Sequence, residues 1–332
     1  MRLGSTLFLM ALLISVAGSV RASSGSPSIE QMRIAGKEYV RLSDWARAND
    51  FVSRWLKRDE TIELSDSAHR IQLQIHSPKA QINGVEVRLL FPLAQKGDSV
   101  WIALLDLKST FEPILSPPRL RRGTALKAVC LDPGHGGKDP GFQVGSSQEK
   151  NFTLLFSQEL QNQLKRAGWK VSLTRSRDTF VELPARPDIA RRRRADLFVS
   201  LHFNATEAAA STVKGVEVYC LTPSGAPSTN AGGEGGGAGW FAGNHYNEEN
   251  MFLAYELQKT LTREVPTEDR GVHRARFCVL CDAAMPAVLI EAGFLSHPVE
   301  GRRISSPTYR RQLASAIVDG LDAYRRGLQR GL

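Results

Sequence analysis

Cysteine is scarce in this chain: four residues in 332, at Cys130, Cys220, Cys278 and Cys281. That is too few for a disulfide-built scaffold, and the lack of any cysteine before Cys130 excludes a lipid-modified N-terminal cysteine. Cys278 and Cys281 have the C-x-x-C spacing, but no second pair exists to complete a structural zinc site. They read as small core residues in a strand-like run from Arg276 to Leu280, and the sequence leaves their redox state open. Long apolar runs are missing too. Leu7 to Val16 falls short of the about 20 residues that cross a bilayer, and no later segment does better. Internal repeats are absent.

The first residues have a recognisable layout. Arg2 gives a positive start, Leu7 to Val16 an apolar core, and small residues lead to Val20-Arg21-Ala22. This predicts a secretory signal peptide over residues 1–22, cleaved near Ala22. The competing reading, a retained anchor, is disfavoured by the short run. The expectation is an exported protein of the periplasm or cell envelope with no stable membrane anchor. Its formal charge is +9, and setting aside residues 1–22 removes only Arg2 and Arg21. A basic exported chain suits anionic wall polymers or lipid headgroups. Export argues against nucleic acid. The Arg191 to Arg194 run reads as a solvated helix face, with attraction to acidic wall polymers as the functional alternative.

Two grammars follow one another. Residues 28–112 read as a small α+β domain. It has strands at Tyr39 to Leu42, Thr61 to Leu64 and Ile71 to Ile75, and a helix from Ser43 to Asn49. An Asn83-Gly84 pair between alternating apolar residues marks a hairpin. Residues 113–126, with Pro113, Pro117, Pro118 and Arg119 to Arg122, read as a linker. Residues 127–332 alternate strands and helices, which predicts an α/β domain with a mostly parallel open sheet flanked by helices. Strands are expected at Ala128 to Leu131, Lys170 to Leu173, Leu197 to Leu201, Val216 to Leu221 and Val288 to Ile290. Helices are expected at Glu149 to Ala167, Asp188 to Arg194, Asn250 to Arg263 and Tyr309 to Leu328. The first of these should bury Phe152, Leu155, Phe156, Leu160 and Leu164 on one face. Residues 223–244 are glycine-rich and read as a loop.

Four ionisable residues fall at or just past strand ends: His135 in Leu131-Asp132-Pro133-Gly134-His135-Gly136-Gly137, then Glu149, His202 and Glu291. In open α/β sheets ligands bind beyond the carboxyl ends of the strands. Two imidazoles and one carboxylate suit a catalytic zinc ion, and a second, unligated carboxylate suits proton transfer. Singly, each has a plainer explanation: a hydrogen-bonded histidine, a first-turn helix charge, or a partner for an arginine.

The segments Leu131 to Gly141, Glu149-Lys150-Asn151, Thr174 to Phe180, Ala195 to Ala205 and Pro286 to Ser296 resemble, in order, the motifs of zinc-dependent N-acetylmuramoyl-L-alanine amidases. The resemblance implies Zn2+ held by His135, Glu149 and His202, with Glu291 as the catalytic acid/base. It places Asn204 and Arg274, within Arg270 to Ala275, near the substrate. The reaction it implies is hydrolysis of the amide between N-acetylmuramic acid and L-alanine, with peptidoglycan as partner and any protein activator undetermined. The alternatives are a catalytically inactive wall-binding protein and a zinc peptidase cutting within the stem peptide. His273 and His297 depart from the family's usual residues and are expected at the surface, and His245 is expected to be a loop residue. The glycine-rich 223–244 segment predicts no helix blocking the site, since each glycine costs about 1 kcal/mol relative to alanine in a helix. The N-terminal unit, with Lys37-x-Tyr39-Val40-x-Leu42, the Asn-Gly hairpin and Val100-Trp101-Ile102-Ala103-Leu104, resembles the copper amine oxidase N-terminal-like domain. That implies an adapter or binding role without copper chemistry.

Overall fold

The computed structural model describes residues 29–120, 125–228 and 239–329. The expected signal peptide lies outside the described residues, as do part of the linker and residues 229–238 of the glycine-rich segment.

The N-terminal unit contains β1 (Gln31–Ile34), β2 (Lys37–Arg41), α1 (Leu42–Ala48), β3 (Val52–Lys57), β4 (Thr61–Ser65), β5 (Arg70–Gln74), β6 (Lys79–Ile82), β7 (Val85–Arg88), β8 (Ala94–Lys96) and β9 (Ser99–Ala103). A helical stretch follows: α2 (Leu104–Asp106), a π turn (Leu107–Phe111) and α3 (Glu112–Leu115). Asn83 and Gly84 both take positive φ (51° and 83°) and close the β6–β7 hairpin, as the Asn-Gly pair predicts. Alternation along β5 to β7 sends Ile71, Leu73, Ile82 and Val87 inward, each 0 % exposed.

The C-terminal part runs β10 (Ala128–Pro133), β11 (Gln143–Val144), β12 (Ser147–Gln148), α4 (Glu149–Arg166), β13 (Lys170–Leu173), α5 (Ala185–Arg192), β14 (Leu197–Asn204) and β15 (Val216–Leu221). It continues with α6 (Asn247–Glu264), β16 (Asp269–Ala275), α7 (Cys278–Cys281), β17 (Ala287–Phe294), α8 (Pro298–Ser305) and α9 (Pro307–Gln329). The strands order as β13-β10-β14-β17-β15-β16, parallel except at β15–β17. The α/β expectation therefore holds. Helices α4, α6 and α9 contribute Phe156, Leu160, Leu257 and Leu313 to the core on one face. On the other face α7 packs Val279 and Leu280 with Phe198 and Leu289.

The two parts are not separate in the sheet. Val272 of β16 pairs in parallel with Val87 of β7, so β7-β6-β5-β4-β3 extends the α/β sheet to eleven strands. Tyr255 donates to the carbonyl of Ile82 at 3.2 Å, and the amide of Glu86 donates to Asp269 at 2.9 Å. One apolar core runs through both.

Several local expectations change. Cys278 to Cys281 form a helical turn rather than a strand, because a short apolar run looks alike in either state and here packs as a buried plug. All four thiols are free. Leu155 stays 46 % exposed on α4. His297 is buried rather than at the surface: it caps α8, its Nδ1 accepting from the amides of Val299 and Glu300. His273 is half-buried, its Nε2 against the carbonyl of Arg270 at 2.8 Å and its ring on Tyr219. His245 is exposed, in a 3-10 turn over Ala242–Tyr246.

Candidate metal centre

The centre is built from the carboxyl ends of β10 and β14 and the first turn of α4. Beyond β10 the chain turns at Gly134, and His135 itself takes a left-handed φ of 61°, a conformation costly for a residue with a Cβ. Two arginines hold it there. Arg186 donates to Pro133, to the carbonyl of His135 at 3.0 Å, and to Asp132 at 2.9 Å. Arg175 donates to the carbonyls of Pro133 (2.9 Å) and Gly134 (2.7 Å). Both guanidinium groups are buried, at 1 % and 3 % exposure. Asp132 also accepts from Thr174 and Ser200, so the charge beneath the loop is fully bonded.

This bracing brings three side chains together. His135 Nε2 lies 3.1 Å from Glu149 Oε2, and His202 Nδ1 lies 3.1 Å from Glu149 Oε1. One donor atom from each fits within 4.8 Å of the others. Asp139 Oδ2 lies 2.9 Å from His135 Nδ1, which leaves Nε2 facing the centre. The amides of Phe142 and Phe203 donate to Glu149 at 3.0 and 3.1 Å. Glycine is required at two walls: a Cβ on Gly134 would meet the His202 ring at 2.2 Å, and one on Gly141 would meet Glu149 Oε2 at 2.6 Å. Burial alone would push the Glu149 carboxyl up, but the His135 and His202 imidazoles outweigh it and hold it far below its ordinary value. Burial likewise opposes a charged His135, yet Glu149 and Asp139 raise its pKa.

Glu291 stands beside this group, paired across the sheet with His202 on β14 and with Glu217 on β15. Both His202 and Glu291 lie inside strands that continue past them, rather than at the strand ends expected from sequence. Glu291 Oε2 is shielded from solvent and has no hydrogen-bond partner among the described residues. Burial, then the carboxylates of Glu149 and Glu217, push its pKa well above the ordinary value. A cavity of about 360 Å³ joins Glu291 to the three clustered residues, with Asn204 on its wall and Phe142, Phe277 and Leu289 giving it an apolar side.

Arg274 is not part of that wall. It is 0 % exposed and donates to the carbonyl of Ser109 and to Thr110, on the side of the N-terminal unit. The alternation along β16 turns it into the core, which corrects its expected place near the substrate. Sequence reasoning also missed Glu217. This buried carboxylate bonds Arg270, Tyr219 (2.6 Å) and Asn204 (3.3 Å) immediately behind the cleft. An acid within the otherwise apolar strand Val216–Leu221 was the available signal.

Comparison with known proteins identifies the family. Residues 129–323 match the family model described as N-acetylmuramoyl-L-alanine amidase. The chain is 33 % identical over 283 residues to the N-acetylmuramoyl-L-alanine amidase AmiC of Neisseria meningitidis serogroup B, covering 73 % of this chain and 67 % of that one. Among solved structures, the amidase AmiC2 of Nostoc punctiforme matches at 32 % identity with a TM-score of 0.50, over 61 % of this chain and 99 % of that one. The Clostridium difficile 630 amidase gives 32 % identity, a TM-score of 0.50 and 60 % and 97 % coverage. With the matched region spanning β10 to α9 and holding every residue of the cluster, the chain belongs to the N-acetylmuramoyl-L-alanine amidase family and is an enzyme of that class.

Proposed function

We propose that this protein hydrolyses the amide between N-acetylmuramic acid and L-alanine in peptidoglycan, with zinc held by His135, Glu149 and His202 and with Glu291 as the acid/base. The observation that carries the reading is the close donor set of two imidazoles and one carboxylate beside a second carboxyl that nothing ligates. The donor set fits zinc in type and number, and the Asp139–His135 contact supplies the outer-sphere carboxylate such histidines use. When bound, the metal supplies Lewis acidity toward the amide carbonyl and makes a water acidic enough to attack near neutral pH. The protein's own part is placement and proton transfer. Glu291 takes the proton of the attacking water and delivers it to the leaving nitrogen of L-alanine. Asn204 lines the cleft as a substrate contact.

The test is mass analysis of digested sacculi. Release of intact stem peptides from intact glycan is expected. Fragments cut within the stem would favour the peptidase alternative, and no release by the zinc-loaded protein would favour the inactive binder.

Export through residues 1–22, division at residues 113–126, and action in the periplasm or envelope belong to the same proposal. Action without an added activator is also proposed for the purified mature protein. Among the described residues, no helix is long and apolar enough to cross a membrane.

A dependence on pH follows from His135. Ligation needs its Nε2 free of a proton, and its neighbouring carboxylates raise its pKa above the ordinary 6.5. Protons therefore compete with zinc from above that value downward. Chelator competition should show zinc affinity falling about tenfold per pH unit below the raised pKa. An affinity that stays flat from about pH 8 to about pH 5 would contradict the assignment of His135 as a ligand.

A further inference from the structure

Exposed cations gather at the end of the catalytic sheet opposite the metal centre. Lys127 precedes β10 and Lys170 opens β13, where the amide of Lys170 donates to the carbonyl of Lys127 at 2.7 Å. Lys165 and Arg166 end α4, and Lys170 follows four residues after Arg166. Arg191 to Arg194 finish α5 and lead into β14, whose first residue pairs with Val129. All of these residues are exposed. The acids nearby are fewer and already partnered, Asp188 by Arg191 of this same group. Asp196 accepts the amides of Lys127 and Ala128, and Asp322 pairs with Arg325 and Trp169. Exposed Glu248 and Asp282 belong to segments around the start of β17, further along the sheet.

Helix dipoles account for the cations in the last turns of α4 and α5. Lys127, Lys170 and Arg194 lie outside any helix and need another reason. We propose that this end of the sheet is a docking surface for an anionic lipid bilayer. The strand ends form a rigid platform, and His202 lies five residues up β14 from Leu197, about 17 Å along the strand. A bilayer beneath the platform leaves the cleft facing away from it, toward a polymer layer lying above; this orientation rests on the peptidoglycan reading. A wall polymer bound here would hold the enzyme by the side turned from its substrate. Among the described residues, none of the exposed large apolar side chains belongs to the patch, so attachment is peripheral, electrostatic and reversed by salt.

Sedimentation with vesicles tests this, using the full mature chain. Binding is expected to phosphatidylglycerol-containing vesicles at low salt and not to phosphatidylcholine alone. Replacing Lys165, Lys170, Arg192 and Arg193 by serine should weaken it by at least about tenfold. A control replacing the exposed Lys37, Lys57, Lys79 and Lys96 by serine removes the same charge and should bind nearly as the parent does. Both variants should keep parental turnover of a soluble muropeptide. Equal losses in the two variants, binding indifferent to lipid charge, or a loss confined to purified anionic wall polymer would each overturn the proposal. Because partition is read without turnover, failure here is distinct from failure of the amidase reading.

Discussion

Glu291→Gln is expected to keep zinc at parental stoichiometry while kcat falls by about 10²- to 10⁴-fold, the range general acid–base groups contribute. Glutamine keeps the shape of the side chain and cannot carry the proton. The position is suited to that task because Oε2 is shielded and unpartnered, in an environment that raises its affinity for a proton. Zinc content and turnover of a soluble muropeptide, measured on the same preparation, separate loss of chemistry from loss of the metal. Parental kcat in the variant would remove Glu291 from the mechanism.

The second large effect is on stability. Arg186→Met leaves Asp132 without its salt-bridge partner and frees the carbonyl of His135, while Arg175 still donates to that of Pro133. Breaking one side of a buried pair costs about 3–5 kcal/mol, because the remaining charge stays desolvated. Thr174 and Ser200 still donate to Asp132, which places the expected cost toward the lower end. Denaturant unfolding should show a lower midpoint with an unchanged slope. A change within about 1 kcal/mol would mean that the loop does not depend on this brace.

Much of the site was readable because its chemistry lies in short contiguous words. Gly134-His135-Gly136-Gly137 declares a tight turn around an imidazole, and Leu197 to Leu201 declares a buried strand leading into another. The hairpin at Asn83-Gly84 was equally local. What escaped was non-local or ambiguous. Nothing near Val87 signals a pairing with Val272, far along the chain, so the joined sheet was invisible as a string. The bracing by Arg175 and Arg186 depends on where β13 and α5 deliver two guanidinium groups, and their residue types alone suggest surface charge. Arg274 was misplaced because proximity to a motif says nothing about which face of a strand a side chain takes. Strand lengths were underread at His202 and Glu291, since polar residues inside a buried strand look like its end.

The parallel contact between Val87 and Val272 has a mechanical corollary. A module on a loose tether can dock anywhere within reach and leave its enzyme free to swivel. Here the hydrogen-bonded sheet and shared core transmit any grip on the amino-terminal strands straight to the strand that carries Glu291. Any ligand gripped by those outer strands would therefore be held at a fixed angle to the cleft.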